Sequence, residues 1–216
     1  RIGGITGEYA KEYYFDYPTV GPIARFILIS PDLTFSDGQK HTYTAGTAHY
    51  NWVVNAIDSA RGAGIRWVIV GMHKTCLSMG VKSCEIGAGL MNLLISKRVD
   101  LVLQAHDHTY QRSKQLALGP ACPAVPVGVF DANCVADDGS DDVYTAGNGT
   151  VIVIDGSFGA GLTDINPADP EARYFVKWMG FNTLGSRRGF MKYTVSDTDI
   201  SAQFIGSTSG TFTDGF

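Results

Sequence analysis

The most informative stretch of the sequence is Leu101-Val102-Leu103-Gln104-Ala105-His106-Asp107-His108, because an apolar run typical of a buried strand leads directly into two histidines. A second apolar run, residues 67–72, ends in the same way at His73. Three of the five histidines therefore follow the ends of two predicted strands. Because ligand sites lie outside the carboxyl ends of parallel strands, we expect these histidines to meet at one edge of a sheet.

The elements around these strands alternate in type. Residues 12–17 and 24–30 predict a hairpin of two strands. A helix is predicted to begin after Thr47 and to end at Gly62, and a second helix covers residues 86–98. Alternating strands and helices indicate βαβ units with right-handed crossovers, which make the two histidine-bearing strands parallel and adjacent. The predicted fold class is α/β.

The second half of the chain is less regular. Residues 115–150 form a long insert that the sequence does not assign to regular elements, and residues 150–155 predict a strand. The chain closes with a predicted hairpin of residues 189–195 and 200–205. The glycine-rich residues 156–161 lack the spacing of a phosphate-binding loop, and we expect them to pass the rim of the histidine site. Without repeats or a linker, the whole chain, residues 1–216, is predicted to be one domain.

Composition excludes several classes of function. The chain has 216 residues, of which 44% are hydrophobic and 18% charged, and it can bury a sizeable core. It has no run of roughly 18 apolar residues that would predict a membrane span. Its formal net charge of -4 offers no basic surface for a nucleic-acid partner. A phosphate-bearing ligand would need local positive charge, which a pair of metal ions would supply.

The four cysteines lie in loop-like sequence without the spacing of a zinc or redox pair. Sequence proximity favours pairing Cys76 with Cys84 and Cys122 with Cys134, which indicates an oxidising compartment and a secreted or extracytoplasmic protein. Four reduced thiols in a cytosolic protein are the alternative. The first residue is Arg1 rather than a methionine, so we expect a trimmed or cleaved chain.

Neutral imidazole is a ligand that zinc and iron prefer, and His73, His106 and His108 supply it. In a His-x-His pair on extended chain, the two side chains share a face but lie about 6.6 Å apart. Two neighbouring ions therefore suit the pair better than one. The opposing interpretation is three half-buried histidines at a sheet edge, but their common position after strand ends favours metal binding.

These motifs resemble those of the calcineurin-like metallophosphoesterases, and within them the secreted purple acid phosphatase-like branch. Gly71-Met72-His73-Lys74 is similar, with a shift of one residue, to the family's Gly-x-x-His motif. Ala105-His106-Asp107-His108 resembles its Gly-His-x-His motif, with alanine in place of glycine, and the continuation through Tyr110 to Arg112 matches the purple acid phosphatases. The resemblance implies a metallophosphoesterase-type β-sandwich flanked by helices, of which this chain is the C-terminal portion.

The resemblance also implies a reaction. His73 and His106 would bind one metal and His108 the other, with two divalent or mixed-valence ions of zinc, iron or manganese. The substrate would be a phosphate ester, hydrolysed by a water or hydroxide that the two metals activate. The family's upstream metal motifs are absent from this sequence, so we expect an associated N-terminal fragment of the same protein to complete the site. The alternative is a non-catalytic homologue or subunit that acts as a binding module.

Residues near the His-x-His motif have supporting or substrate roles in this interpretation. Tyr110 and Arg112 would either contact the substrate phosphate or orient the histidines. We favour a supporting role for Arg112, bonded to loop carbonyls or to Asp107 beside the metal ligands.

Four further titratable residues have more than one possible role. Lys82 and Glu85 are the candidate general acids, although a surface loop closed by a disulfide is the favoured interpretation of this segment. His41 and His49 lie before and in the first turn of the first predicted helix, and we interpret His49 as structural or solvent-facing.

Overall fold

The computed structural model describes residues 4–216, and the expectation about the chain start at Arg1 lies outside them. The architecture is mixed α/β, as predicted, with one large sheet and two α-helices among the described residues. The elements in chain order are β1 (Thr6–Glu8), β2 (Glu12–Tyr17), β3 (Ala24–Leu28), α1 (Ala48–Gly62), β4 (Trp67–Gly71), α2 (Ala88–Ser96), β5 (Leu101–Gln104), β6 (Tyr110–Ser113), β7 (Gln115–Leu116), β8 (Val135–Asp137), β9 (Val151–Asp155), β10 (Phe175–Met179), β11 (Gly189–Val195) and β12 (Ile200–Gly206).

The large sheet has eight strands in the order β1-β2-β3-β4-β5-β9-β6-β10. β3, β4, β5 and β9 are parallel, and the antiparallel strands lie outside them on both sides. The predicted adjacency of β4 and β5 is confirmed, with Gly71 opposite Leu103. Backbone pairing continues past the strand ends, because Ala105 N donates to His73 O at 3.0 Å. The two histidine-bearing segments therefore leave the sheet side by side.

The central strands are buried on both faces, because successive side chains point to opposite sides of a sheet. Val68, Val70 and Val102 belong to the cluster that packs under α1 and α2. Ile69 and Leu101 belong to a second cluster, which packs under the β11/β12 hairpin. Burial on both faces explains why these strands are continuous apolar runs rather than alternating ones. The three layers, helices, sheet and hairpin, hold the carboxyl edge of the parallel strands in place.

The helices begin and end close to their predicted bounds. The Thr47 side chain caps α1 by accepting a hydrogen bond from Tyr50 N at 3.3 Å, as expected for a threonine at this position. α2 is shorter than predicted, since it begins at Ala88 and ends at Ser96, with Lys97 as its C-cap. No helix in residues 4–216 is long and apolar enough to cross a membrane.

Three strands of the large sheet, β1, β6 and β10, have no counterpart among the strands predicted from the sequence. β6 has the polar sequence Tyr-Gln-Arg-Ser, yet all four of its residues are buried. In the 115–150 insert, the sequence predicted no regular elements, and the structure has the short β7/β8 pair there.

Both predicted disulfides are present, Cys76 with Cys84 and Cys122 with Cys134. The described residues contain no free cysteine. The first bridge closes the loop between β4 and α2, which lies next to the histidines.

Candidate metal centre

His73 and His106 meet at the carboxyl edge of β4 and β5. His73 Nε2 lies 2.9 Å from His106 Nδ1, and the two rings meet edge to face with centroids 4.8 Å apart. His106 adopts a positive φ of 36°, a left-handed conformation that turns its side chain toward His73. Without an ion, one nitrogen donates a hydrogen bond to the other. Because 2.9 Å is less than twice a metal–imidazole bond of about 2.0 Å, both nitrogens can also reach one ion.

His108 lies apart from this pair. Its Nδ1 donates to the Gly161 carbonyl oxygen at 3.1 Å, which leaves Nε2 as the free acceptor. In residues 4–216, no group of donors within 4.8 Å of one another contains all three histidines. The structure therefore brings two of the three predicted ligands together and holds the third separately, in the tautomer that suits a ligand. The glycine-rich loop of residues 156–161 supplies the carbonyl and so passes the site as expected.

Asp107 does not join the histidines, because its carboxylate is bonded to the 78–82 loop. It is fully buried and accepts hydrogen bonds from Ser78 Oγ at 2.5 Å, Val81 N at 3.0 Å and Lys82 N at 3.2 Å. A side chain at Gly80 would collide with the Asp107 carboxylate, so the loop approaches it closely. Asp107 thus anchors the loop that the Cys76–Cys84 bridge closes next to the site. Its sequence neighbours His106 and His108 face the site itself.

Glu85 and Lys74 provide the charges nearest the histidine pair. Glu85 Oε2 lies 3.1 Å from His106 Nε2, but the ring N–H does not point at it, so the contact is electrostatic and that oxygen has no hydrogen-bond donor. Lys74 Nζ lies 3.3 Å from Glu85 Oε1 and also pairs with Asp32 at 2.5 Å. Of the two candidate general acids, Glu85 is the one beside the histidines. Lys82 contributes its backbone N–H to Asp107.

Of the two paired histidines, His73 is the one whose pKa is shifted from its ordinary value. Partial burial, followed by the nearby His106 and Lys74, lowers the pKa of His73. The shift favours the neutral ring at neutral pH, and only the neutral ring has a lone pair for an ion.

Two proteins with known sequences cover much of this chain at low identity. It is 25% identical over 191 residues to a protein of Arabidopsis thaliana named "Probable inactive purple acid phosphatase 1", covering 82% of this chain and 27% of that protein. It is 26% identical over 229 residues to an uncharacterized protein of Mycobacterium tuberculosis, covering 88% of this chain and 41% of that protein. The chain thus spans less than half the length of these relatives. No family model matches it.

Solved structures show the same architecture. The purple acid phosphatase PPD1 from yellow lupin (Lupinus luteus) seeds matches with a TM-score of 0.63 at 19% identity, covering 95% of this chain and 32% of that chain. This chain is related to the purple acid phosphatases. A second match, described as GAP50, the anchor in the inner membrane complex of Plasmodium, has a TM-score of 0.54 at 15% identity and covers 97% of this chain and 54% of that one. The purple acid phosphatase-like fold is therefore shared by proteins of different roles.

Tyr110 and Arg112, the end of the purple acid phosphatase-like motif, lie in the core rather than at the histidine site. Arg112 donates twice to Asp214, from Nε at 2.8 Å and from Nη2 at 2.9 Å, and also to the Tyr144 hydroxyl. The Tyr110 hydroxyl donates to Asp214 at 2.5 Å. Arg112 supports the fold, but its acid partners are Asp214 and Asp142, whereas the sequence suggested Asp107 or loop carbonyls.

Two clefts of about 470 Å³ each lie at opposite edges of the sheet. One is lined by His73, Lys11 and Gln104, and the other by residues that include Trp67 and Tyr144. The second cleft is at the amino ends of β4 and β5 and has no histidine among its lining residues. Because ligands of such sheets bind at the carboxyl edge, the cleft beside His73 is the candidate site.

Proposed function

We propose that this chain carries one side of a two-metal centre that hydrolyses phosphate esters. The observation that carries the proposal is the 2.9 Å approach of His73 Nε2 to His106 Nδ1 at the carboxyl ends of adjacent parallel strands. The purple acid phosphatase-like fold supports the reaction class.

Each histidine has a role in this proposal. His73 and His106 hold one ion between them, and His108 holds the second through the Nε2 that its bond to Gly161 leaves free. The ions, of zinc, iron or manganese, would neutralise the phosphate oxygens and lower the pKa of water. Glu85, 3.1 Å from the outer nitrogen of His106, stabilises a proton on that nitrogen and so keeps Nδ1 available as a ligand.

Three imidazoles are too few ligands for two ions. A two-metal centre also needs the charge of a bridging carboxylate to hold its two cations next to each other. No further His, Cys, Asp or Glu donor of residues 4–216 joins the His73 and His106 nitrogens in a group within 4.8 Å. In this proposal the other ligands come from residues outside the 216-residue sequence, in a longer protein or an associated fragment. The relatives, of which the chain covers 27% and 41%, have room for such residues.

A second candidate function is a binding module that does not turn over substrate. The small number of ligands favours it, as does the relative whose name includes the word inactive. In that case the histidines would bind metal or phosphate without hydrolysis.

The two disulfides support placement outside the cytoplasm, because such bridges persist in oxidising compartments. We propose that the protein is secreted or otherwise extracytoplasmic.

The test compares the 216-residue chain with a longer protein that includes the upstream segment. We expect the chain alone to show little hydrolysis of a chromogenic phosphate monoester with added Zn²⁺, Mn²⁺ or iron. The longer protein should be active and should lose most of that activity on His106→Asn, a substitution that keeps the positive φ because asparagine tolerates it.

Arg98→Asn is the matched control, because Arg98 is exposed and also has a positive φ, of 48°, but lies away from the histidines. Its activity should equal that of the unmodified protein. Full activity of the chain alone would show that the ligands are misassigned. Metal binding that depends on His106 without any hydrolysis by the longer protein would favour the binding module.

A further inference from the structure

A second group of metal-ligand residues lies outside the candidate centre. Glu12 begins β2, His41 lies in the loop between β3 and α1, and His49 lies in the first turn of α1. One donor atom from each of the three lies within 4.8 Å of the others. We propose that Glu12, His41 and His49 form a separate binding site for a divalent transition-metal ion of the Zn²⁺ class.

The contacts within the cluster are close. Glu12 Oε1 and Oε2 lie 3.1 and 3.2 Å from His49 Nδ1. The rings of His41 and His49 are stacked, with centroids 3.8 Å apart and an angle of 15° between their planes. Parallel rings do not aim at one point, so binding requires one of them to rotate about its Cβ–Cγ bond. The His49 side chain is 34% exposed and has room to do so, and this torsion has a broad energy minimum.

Burial gives an independent reason for a cation at this position. The His41 side chain is 10% exposed, and its Nδ1 has no hydrogen-bond partner among the described residues. A buried polar atom without a partner destabilises a fold, because it gives up its hydrogen bonds to water and gains none in the protein. A cation bound to the lone pair of the His41 nitrogen would remove part of that loss.

Charge in the cluster is suited to a divalent cation. Glu12 is buried, with 7% of its surface exposed, and Glu8 Oε2 lies 4.0 Å from His41 Nε2. Lys11, the lysine whose charge acts on His41, is paired with Glu8 at 2.7 Å and with Asp37 at 3.2 Å. Burial, and then the neighbouring His49, lowers the pKa of His41.

Two imidazoles and one carboxylate are a donor set that binds Zn²⁺ with three protein ligands, leaving the fourth position open. Such an ion would connect β2, the β3–α1 loop and α1. Since Glu12 lies on β2 and His73 follows β4, two strand spacings, about 10 Å, separate this cluster from the candidate centre. The two sites share no residue.

The experiment removes the candidate centre first, so that only the proposed site can bind. The double variant His73→Ala/His106→Asn of the full 216-residue chain is stripped of metal and titrated with Zn²⁺ by calorimetry and with Co²⁺ by its visible absorption. We expect one ion per chain. Adding His49→Ala should weaken binding by at least about 100-fold, while adding Asn51→Ala, an exposed neighbour on the same helix, should leave it unchanged.

Glu12→Gln provides a second test, because it keeps the shape of the side chain and removes its charge, and it should also weaken binding. Zn²⁺ should raise the thermal unfolding midpoint of the double variant, but not after His49→Ala. In NMR spectra of the double variant, the ring signals of His41 and His49 should shift together with a single bound equivalent. The proposal is overturned if the double variant binds no Zn²⁺, or if His49→Ala, folded by circular dichroism, binds it as tightly.

Discussion

Two successive triplets, His106-Asp107-His108 and Tyr110-Gln111-Arg112, belong to one sequence motif but have opposite roles in the structure. In the first, the two histidines are partly exposed and keep ring nitrogens available to a ligand. In the second, Tyr110 is 0% and Arg112 1% exposed, and their polar atoms are bound to Asp214. A residue that binds a ligand needs a lone pair that stays free in the folded protein. A polar residue that supports the core needs all of its polar groups paired.

The difference comes from position in the sheet. The first triplet lies beyond the end of β5, where the chain turns through the positive φ of His106. The second triplet is in β6, between β9 and β10, with Phe204 and Phe212 against the Tyr110 ring. A charged group in such surroundings must be paired, because an unpaired buried charge is strongly destabilising. The comparison predicts which substitutions affect folding and which affect ligand binding.

The largest expected effect on stability is that of Arg112→Met, which leaves the Asp214 carboxylate buried without its cation. We expect the free energy of unfolding in urea to fall by about 3–5 kcal/mol, while Zn²⁺ affinity of the folded protein is unchanged. The double variant Arg112→Met/Asp214→Leu should lose less stability, because no buried charge is left unpaired. A loss under about 1 kcal/mol for the single variant would mean that the second triplet is not the structural one.

Asp107→Asn should have an intermediate effect. The new amide nitrogen replaces one acceptor oxygen in front of the Ser78 hydroxyl and the Val81 and Lys82 N–H groups, so we expect a loss of about 1–3 kcal/mol. Amide hydrogen exchange at Val81 and Lys82 should become faster. Asp141→Asn is the control, because Asp141 is exposed and accepts a single bond from Val143 N. Equal exchange rates in both variants would contradict the assignment of Asp107 as the anchor of this loop.

His106→Asn should change the free energy of unfolding by no more than about 0.5 kcal/mol, as is usual for partly exposed sites. It should nevertheless weaken Zn²⁺ binding at the candidate centre. Urea unfolding and calorimetric titration of the same preparation measure both quantities. A destabilisation as large as that of Arg112→Met would erase the distinction between the two triplets.

The smallest expected effect is a change of pH dependence on Glu171→Gln. Burial raises the pKa of Glu171, whose carboxylate accepts bonds from Ser78 N and Gly128 N. The pKa of this carboxyl group is higher in the folded protein than its unfolded value of about 4.5. The folded protein therefore loses stability as the pH rises through the folded pKa. As the pH rises above about 4.5, the unfolding free energy of the variant should therefore fall less steeply than that of the unmodified chain. Parallel profiles would show that Glu171 does not contribute, since Asp100 and Asp155, also raised by burial, are common to both proteins.

The sequence predicts the part of the molecule that follows from local pattern. Apolar runs identify β4 and β5, and the handedness of crossovers places them side by side, so the meeting of His73 with His106 was predictable. The disulfide pairings were predictable from proximity along the chain. These predictions depend on residues that are close in sequence or on rules that hold for whole classes of fold.

Long-range contacts were not predictable in the same way. Asp214, the partner of Arg112, is 102 residues further along the chain, and no local pattern connects them. β6 is a polar sequence in a buried position, which periodicity does not recognise as a strand. The cluster of Glu12, His41 and His49 joins a strand, a loop and a helix, so no local pattern in the sequence connects its members.

The Cys76–Cys84 bridge closes the loop that carries Ser78, Val81 and Lys82 to Asp107 and ends next to Glu85. A crosslink of this kind restricts the unfolded chain, so less conformational entropy is lost when the loop becomes ordered. That ordering belongs to folding and not to ligand binding. An incoming ion or phosphate ester would meet a preorganised wall, and its intrinsic affinity would not be reduced by the entropy of arranging the loop around it.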